Sequence, residues 1–507
     1  MKAKVVENSI LIIPMAGKGS RFESAGYSTY KPFIKFNEKS MLDRVIEPFK
    51  EFQEIFIITT KKIFDKNDFF IKKLQSNIKF ILIKAHKLGP AYSIFLAINE
   101  LPKNKSIFIS YCDVWWHSNQ INFDNIALHE AAIFTHKGFH PHLIKDNFSA
   151  FCKSSTNDST KLAQIKEKGS FTNNWMNESL SIGVFFVREP EIFYDSICKF
   201  INNNKKIAGE FYPSVIFNDL INYGLNVQLI EVDTFAHVGL PSHLKDLEFW
   251  SNIINNDKRD YFPMLEDTFQ HCMLIGGSGT RMKKISETPK HFLPVKGVKM
   301  FEFIARKFKT KMTKIVASPD FNFKESNDVP FLDIKLMKSY TNSHLETLTY
   351  ATFELVPNKP ILFSSCDCFG DLNISKMNLL INKYNPDSIV FSFEPSLLNS
   401  KNIGQHTKIN FKNQRLIDID IKSKNDIYTH GLAGFFWFKN KELIHDELKT
   451  IEHDNESELL IDHLIKSMIR NKRKIFCMPI DPYIHLGTPD EYNEFLYWNG
   501  RGKILIS

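Results

Sequence analysis

Two stretches of this chain carry residue types suited to holding phosphate, and they read alike. Ala16-Gly17-Lys18-Gly19-Ser20-Arg21 follows an apolar run, Ile10–Pro14, and Gly276-Gly277-Ser278-Gly279-Thr280-Arg281 follows another, Met273–Ile275. Glycines after a strand let backbone N–H groups close around phosphate oxygens with no side chain in the way. The arginine at the end adds a planar fork of donors that never loses its charge. Neither stretch has the GK[ST] ending of a P-loop or the three-glycine spacing of a dinucleotide fingerprint, and a glycine turn alone also fits a plain chain reversal. About ten residues further on, Lys31-Pro32 and Pro289-Lys290 set a lysine where it would neutralise charge on a leaving group.

Asp113 and Asp367 each close an apolar run, in Ile-Ser-Tyr-Cys-Asp and Phe-Ser-Ser-Cys-Asp. Such an aspartate can be a turn former or helix cap. Downstream of a phosphate loop it reads as a Mg²⁺ ligand, because Mg²⁺ is held by one or two carboxylates plus substrate phosphates. No Asp-x-Asp pair accompanies it. Further on come Asp233-Thr-Phe-Ala-His237-Val-Gly-Leu-Pro241 and Asp481-Pro-Tyr-Ile-His485-Leu-Gly-Thr-Pro489. Histidine nitrogen suits Mg²⁺ poorly. A second metal ligand is therefore open between the histidines, Asp233 with Asp481, and none at all. His136, His140 and His142 cluster without a carboxylate or cysteine partner and are assigned no metal.

These landmarks keep their order in both halves. Gly17 aligns with Gly277 at an offset of 260, Asp113 with Asp367 at 254, Gly183 with Gly434 at 251, and His237 with His485 at 248. A slowly drifting offset is what loop-length changes in a duplicated domain produce. The expected units are residues 1–255 and 268–507, with a polar seam around 252–270. Short apolar runs (Ile55–Thr59, Phe80–Ile83, Ile107–Ser110; Ile315–Ala317, Ile361–Phe363) alternate with amphipathic stretches. Runs that are hydrophobic throughout fit parallel strands covered on both faces. The expected fold is α/β: two tandem, doubly wound, mostly parallel Rossmann-like sheets, with each site at the carboxyl ends of the strands.

Size and composition agree with that. The chain has 507 residues, 43% hydrophobic and 24% charged, enough for two ordinary cores. A net charge of +8 is spread along the chain with no polybasic stripe, which argues against a nucleic-acid surface and suits anionic small substrates. The seven cysteines form no CxxC pair, so neither a disulfide framework nor a zinc site is indicated. No apolar stretch approaches the roughly 18 residues of a membrane span, and the expected setting is cytoplasmic without membrane insertion. Oligomeric state is not legible.

The combination of glycine-rich Ser/Thr-Arg loop, Pro/Lys pair and strand-end aspartate resembles the sugar-phosphate nucleotidyltransferase family, which has a GT-A-like Rossmann fold, in two copies. The first half (PMAGKGSRF, AGYSTYKPFIKF, MLDRVI) is similar to the branch found in capsule and surface-polysaccharide clusters. The resemblance implies Mg²⁺-dependent joining of an NTP to a phosphorylated small molecule with release of pyrophosphate. It implies Ala16, Gly17, Gly19 and Ser20 on the nucleotide phosphates with Arg21 and Lys31, and Gly276, Gly277, Gly279 and Thr280 likewise with Arg281 and Lys290. It places Asp113 and Asp367 on the metal. Gly89, in Leu88-Gly89-Pro90, would face the base, where the second half has Leu345-Glu346-Thr347. On the acceptor side it places Lys168 (after Glu167), Gly183 and Glu210, matched in the second half by Gly434 and, loosely, Lys422. Three other readings stand beside it: a GT-A-type glycosyltransferase, a second half that only binds or regulates, and an inert scaffold.

Overall fold

The computed structural model describes residues 8–143, 149–256, 269–277, 280–308, 312–321, 332–341, 343–394, 406–421, 430–451 and 459–501. Two compact units result: Met1–Ser251 with Gly500–Ser507, and Asn252–Asn499. Gly279 and Lys422 lie outside the described residues.

The first unit is built on β1 (Ser9–Pro14), β2 (Ile55–Thr60), β3 (Ile78–Ile83), β4 (Ser106–Ser110), β5 (Val114–His117), β6 (Ala131–His136), β7 (Ala150–Ser154), β8 (Leu162–Lys166), β9 (Ser179–Val187), β10 (Val227–Glu231) and β11 (Thr234–His237). Its main sheet runs β8-β7-β9-β4-β1-β2-β3, with β6 pairing β9 and β10. Strands β4, β1, β2 and β3 are mutually parallel. Beyond them β9 lies antiparallel to β4, β6 and β7. The sheet is thus rich in parallel pairs, with an antiparallel flank.

Strand β1 shows why its run is apolar throughout. Ile10 and Ile12 enter the core on one face of the sheet, with Ala91, Ile94 and Ala97 of helix α1 (Pro90–Ala97). Leu11 and Ile13 enter the core on the other, with Phe49, Phe52 and Phe108. Both faces are covered, so neither parity of the strand can be polar.

The second unit repeats the order. Its strands are β12 (Gln270–Ile275), β13 (Thr313–Ala317), β14 (Leu332–Leu336), β15 (Ile361–Ser365), β16 (Cys368–Gly370), β17 (Ser388–Phe393), β18 (Lys408–Lys412), β19 (Arg415–Asp420), β20 (His430–Phe438), β21 (Ile475–Pro479) and β22 (Tyr483–His485). The sheet runs β14-β13-β12-β15-β20-β17-β21-β19-β18. The edge-to-centre order β3-β2-β1-β4-β9 is therefore matched by β14-β13-β12-β15-β20. Again the first four are parallel and the long glycine-bearing strand opposes them. Among the described residues, no helix is long and apolar enough to cross a membrane.

Phe108 sits at the centre of the first unit's aromatic core, fully buried, with ring centroids 5.3 Å from Phe52, 5.3 Å from Phe123 and 4.7 Å from Phe186. Phe108→Ala leaves a cavity that these rings cannot close. It is expected to cost about 3–5 kcal/mol, read as an earlier urea transition in circular dichroism.

Candidate functional site

In each unit a strand-end aspartate, a lysine and a histidine converge. Asp113 occupies the turn between β4 and β5, and Asp367 the turn between β15 and β16. Lys31 opens a single 3-10 turn, Lys31–Phe33, as Lys290 opens Lys290–Phe292. Proline placed at or just before these turns presets the backbone that aims the lysine inward. Lys31 Nζ lies 2.6 Å from Asp113 Oδ2, and Lys290 Nζ lies 2.6 Å from Asp367 Oδ2.

The histidines arrive on a small antiparallel ribbon. In the first unit β11 pairs β5 with His237 opposite Val114; in the second, β22 pairs β16 with His485 opposite Cys368. That register sets His237 Nε2 3.8 Å from Asp113 Oδ2 and His485 Nε2 3.7 Å from Asp367 Oδ2. The glycines two residues later leave room for the rings: a Cβ at Gly239 would stand 2.6 Å from His237 Cε1, and one at Gly487 2.4 Å from His485 Cε1. Asp233 is directed elsewhere, accepting from the Asn119 amide at 2.9 Å, and Asp481 is exposed. The aspartates' neighbours are the histidines.

Electrostatics differ between the units. Burial alone would raise the Asp113 carboxyl, but Lys31 and then His237 outweigh it and hold it down at about 2. Asp367 is held lower still, against burial, by Lys290 and His485, with Arg281 contributing. His237 is lowered by burial despite Asp113. His485 is raised, because Glu491, hydrogen-bonded to its Nδ1 at 2.7 Å, overcomes the same burial. The sequence reading missed Glu491, although Thr488-x-x-Glu491 is a recognisable helix-start spacing.

The glycine-rich loop of the first unit is pinned from behind. Tyr30 Oη donates to the Gly17 carbonyl at 2.6 Å and to the Met15 carbonyl at 3.1 Å, while Thr59 Oγ1 donates to Met15 at 3.0 Å. Ala16 is buried at the end of β1, and Gly17 and Ser20 are exposed. Gly19 adopts φ 67° and starts the short helix that carries exposed Arg21. Arg21 acts electrostatically on both Tyr212 and His237, so its charge reaches the aspartate centre and the surroundings of Tyr212. In the second unit Gly276 packs on Thr347 and Gly277 is exposed. Thr280 begins the 3-10 stretch that bears Arg281.

Gly89 is the N-cap of α1 at φ 87°, and a Cβ there would lie 2.7 Å from the Phe211 carbonyl. Its counterpart by position in the fold is Ser343, the N-cap of α2 (His344–Phe353), with its side chain accepting from the Glu346 amide. Glu346 therefore sits within the helix's first turn, exposed, and does not replace Gly89. Matching by sequence had slipped along a helix whose apolar pattern is similar at both registers.

A second group in the first unit gathers Glu167, Lys168, Gly183 and Glu210. Glu167 accepts from Ser214 Oγ and is pushed up to about 7, chiefly by burial, with Glu210 adding to it. Lys168 Nζ lies 4.9 Å from the centre of the Tyr212 ring, and Tyr212 Oη donates to Glu210. The Tyr111 amide donates to the Gly183 carbonyl at 3.1 Å. In the second unit the Gly434 amide donates to Tyr483 Oη at 3.2 Å. Tyr212 enters the sequence reading only as the end of Glu210-Phe211-Tyr212, and Tyr111 carries no spacing signal of its own. His140 and His142 support the ribbon that carries His237: His140 Nε2 bonds the Phe235 carbonyl, and His142 bridges the His237 carbonyl and Asp246.

Residues 11–152 match the family model of the MobA-like NTP transferase domain. Among solved structures, a nucleoside-diphosphate-sugar pyrophosphorylase from Vibrio cholerae RC9 is similar at 20% identity and a TM-score of 0.40, covering 46% of this chain and 98% of its own. A CTP:phosphocholine cytidylyltransferase from Streptococcus pneumoniae is similar at 19% identity and 0.37, covering 48% and 98%. An inositol-1-phosphate CTP transferase from T. maritima is similar at 14% and 0.37, covering 47% and 91%. Among curated protein sequences none matches.

The lowered Asp113 carboxyl fixes a pH dependence. A depressed carboxyl contributes stability that is fully present above its unfolded value near 3.8 and is lost as pH falls toward about 2. The stability gap between wild type and Asp113→Asn, roughly 2 kcal/mol at neutral pH, should close across that window. Thermal midpoints measured at stepped pH check this, and a gap that does not change with pH contradicts it.

Proposed function

We propose that the chain is a nucleotidyltransferase that joins an NTP to a phosphorylated small molecule and releases pyrophosphate, from two tandem, duplicated domains. The observation that carries this reading is the lysine–aspartate pair at 2.6 Å beside a glycine-rich, arginine-terminated loop, present in both units. The NTP transferase match over residues 11–152 supports it for the first unit. A phosphorylated acceptor is already a competent nucleophile, so no general base is required. Catalysis then consists of in-line positioning and charge neutralisation.

Arg21 and Lys31 would hold the triphosphate and stabilise the leaving pyrophosphate. Lys31 is kept in place beforehand by Asp113, so its charge costs no reorganisation when substrate arrives. Gly89, whose missing side chain lets the Phe211 backbone pack against the α1 N-terminus, would face the base there, and Lys168 would clamp the acceptor phosphate beside Tyr212 and Glu210. Arg281, Lys290 and Asp367 take the corresponding roles in the second unit.

The donor set fits Mg²⁺ through one carboxylate per unit, Asp113 or Asp367, with substrate phosphates completing the shell. The neighbouring histidines supply nitrogen, which Mg²⁺ disfavours. When bound, Mg²⁺ would offset charge on the α-phosphate. The likeness of the first half to the capsule and surface-polysaccharide branch supports a cytoplasmic role in making precursors of such polymers.

A second reading, that the second unit binds or regulates without turnover, is favoured by one observation: the Gly89 position is taken by Ser343. Pyrophosphate release with each of the four NTPs against a panel of phosphorylated acceptors tests both. Arg21→Ala and Asp113→Ala should each lower turnover by about 10²–10³-fold, and unchanged release in Asp113→Ala refutes the first-unit assignment. Asp367→Ala lowers release for a second product only if the second unit turns over.

A further inference from the structure

The second unit holds a cluster that nucleotidyl transfer does not use. His406, His485 and Glu491 each offer one ligand atom, and these atoms lie within 4.8 Å of one another. Glu491 Oε2 is 2.7 Å from His485 Nδ1, and Glu491 Oε1 is 3.4 Å from His406 Nε2. The two imidazole rings stand 5.3 Å apart at 73°, so they approach the carboxylate from different directions. Thr488 Oγ1 donates to Glu491 Oε2 at 2.7 Å and fixes the carboxylate at the start of helix α3 (Pro489–Gly500).

A capping interaction alone would require only Thr488 and Glu491. What exceeds it is a carboxylate just 3% exposed, facing two imidazoles. His406 Nε2 and Glu491 Oε1 are moreover both buried without a well-formed hydrogen bond. Burying a charge and leaving facing polar atoms unsatisfied costs free energy unless something joins them.

The geometry points to a binding site for a borderline-soft divalent cation, of the Zn²⁺ class, formed by His406 Nε2, His485 Nδ1 and Glu491, with a fourth position for water. Ligand atoms at about 2.0–2.2 Å around a tetrahedral Zn²⁺ lie about 3.3 Å apart. The His406–Glu491 separation already meets that spacing, and the His485–Glu491 contact would open by about half an ångström. Two nitrogens and one oxygen select against Mg²⁺ and for Zn²⁺ or its neighbours. The other ring nitrogen of His485 faces Asp367 at 3.7 Å, which gives the carboxylate–histidine–metal arrangement that orients metal-bound imidazoles.

This site is separate from the carboxylate proposed for Mg²⁺, lying on the far side of the His485 ring. The first unit is not expected to share it: at the offset of 248 that aligns His237 with His485, Glu491 faces His243. His142 there bonds Asp246 instead.

The full chain, stripped with chelator, is titrated with ZnCl₂ alone by calorimetry, and Co²⁺ serves as a spectroscopic probe. One equivalent should bind, with a tetrahedral Co²⁺ spectrum lacking thiolate charge transfer. His406→Ala and Glu491→Gln should each weaken Zn²⁺ by about 100-fold or more, and Asp367→Asn by about 10–100-fold. His243→Ala should leave affinity unchanged. Absence of a stoichiometric site in the wild-type chain, unaltered affinity in His406→Ala or Glu491→Gln, loss in His243→Ala, or a thiolate band (the seven cysteines are unpaired) would each overturn the assignment. Metal binding is read without turnover, so its outcome is independent of the nucleotidyl-transfer reading.

Discussion

The contact on which the rest of each unit depends is a part-buried ion pair between a lysine on a 3-10 turn and an aspartate at the end of a parallel strand. Side-chain exposure is 12% for Lys31 and 19% for Asp113, and 20% for Lys290 and 7% for Asp367. Breaking such a pair from one side strands the other charge, so both partners must be delivered accurately. The lysine comes from the segment after the phosphate loop, the aspartate from the neighbouring central strand, and the histidine from a ribbon that reaches the site last in sequence. The parallel pairing of β1 with β4, and of β12 with β15, aligns the loop with the aspartate turn. The sheet order is in this sense the instrument of one ion pair.

Around that common centre the two units use their histidines differently. His237 and His485 stand at nearly equal distance from their aspartates, yet burial lowers one and a buried glutamate raises the other. The backbone ribbon is the same, and what changes is the residue behind the ring. In the first unit that place is filled by imidazoles, with His142 and His243 stacked at 4.4 Å. In the second it is filled by the carboxylate of Glu491. Conserving a backbone frame while exchanging the residues behind a shared side chain alters a site's charge without altering its shape.

Much of this was legible from residue order alone. The glycine loops, the lysines and the strand-end aspartates are local patterns, each set by a strand and the turn after it, and the structure brings them together. Each apolar run read as a strand is one, extended by a residue or two where Thr60 or Ser106 continues the pairing. The antiparallel half of each sheet was not legible, because β9 and β20 are as continuously apolar as the parallel strands. Burial on both faces leaves no mark of direction. Ser343 was missed as the partner of Gly89 because a glycine and a serine can hold the same N-cap place while sharing no side chain to align. Contacts such as Tyr30 with Gly17, or His406 with Glu491, join residues whose spacing has no period, and only the tertiary fold reveals them.

The parts that repeat and the parts that do not divide along a chemical line. The loops, the ion pair and the ribbon recur, and they are the parts that would meet phosphate and nucleotide. The group around Tyr111 and Tyr212 does not recur. Tyr111, ahead of Cys112-Asp113, is matched by Ser365 ahead of Cys366-Asp367. The Ala91 amide donates to the Phe211 carbonyl and the Leu345 amide to the Leu459 carbonyl, so Tyr212 is matched by Leu460. Two tyrosines in the first unit thus correspond in position to a serine and a leucine in the second. On the proposed reading, a nucleotide is the same anion for both units, and a frame of backbone and fixed charge serves it twice. On the same reading an acceptor would be recognised by side chains, which can change one at a time without disturbing the sheet, and it is there that two units of similar strand order are free to become different sites.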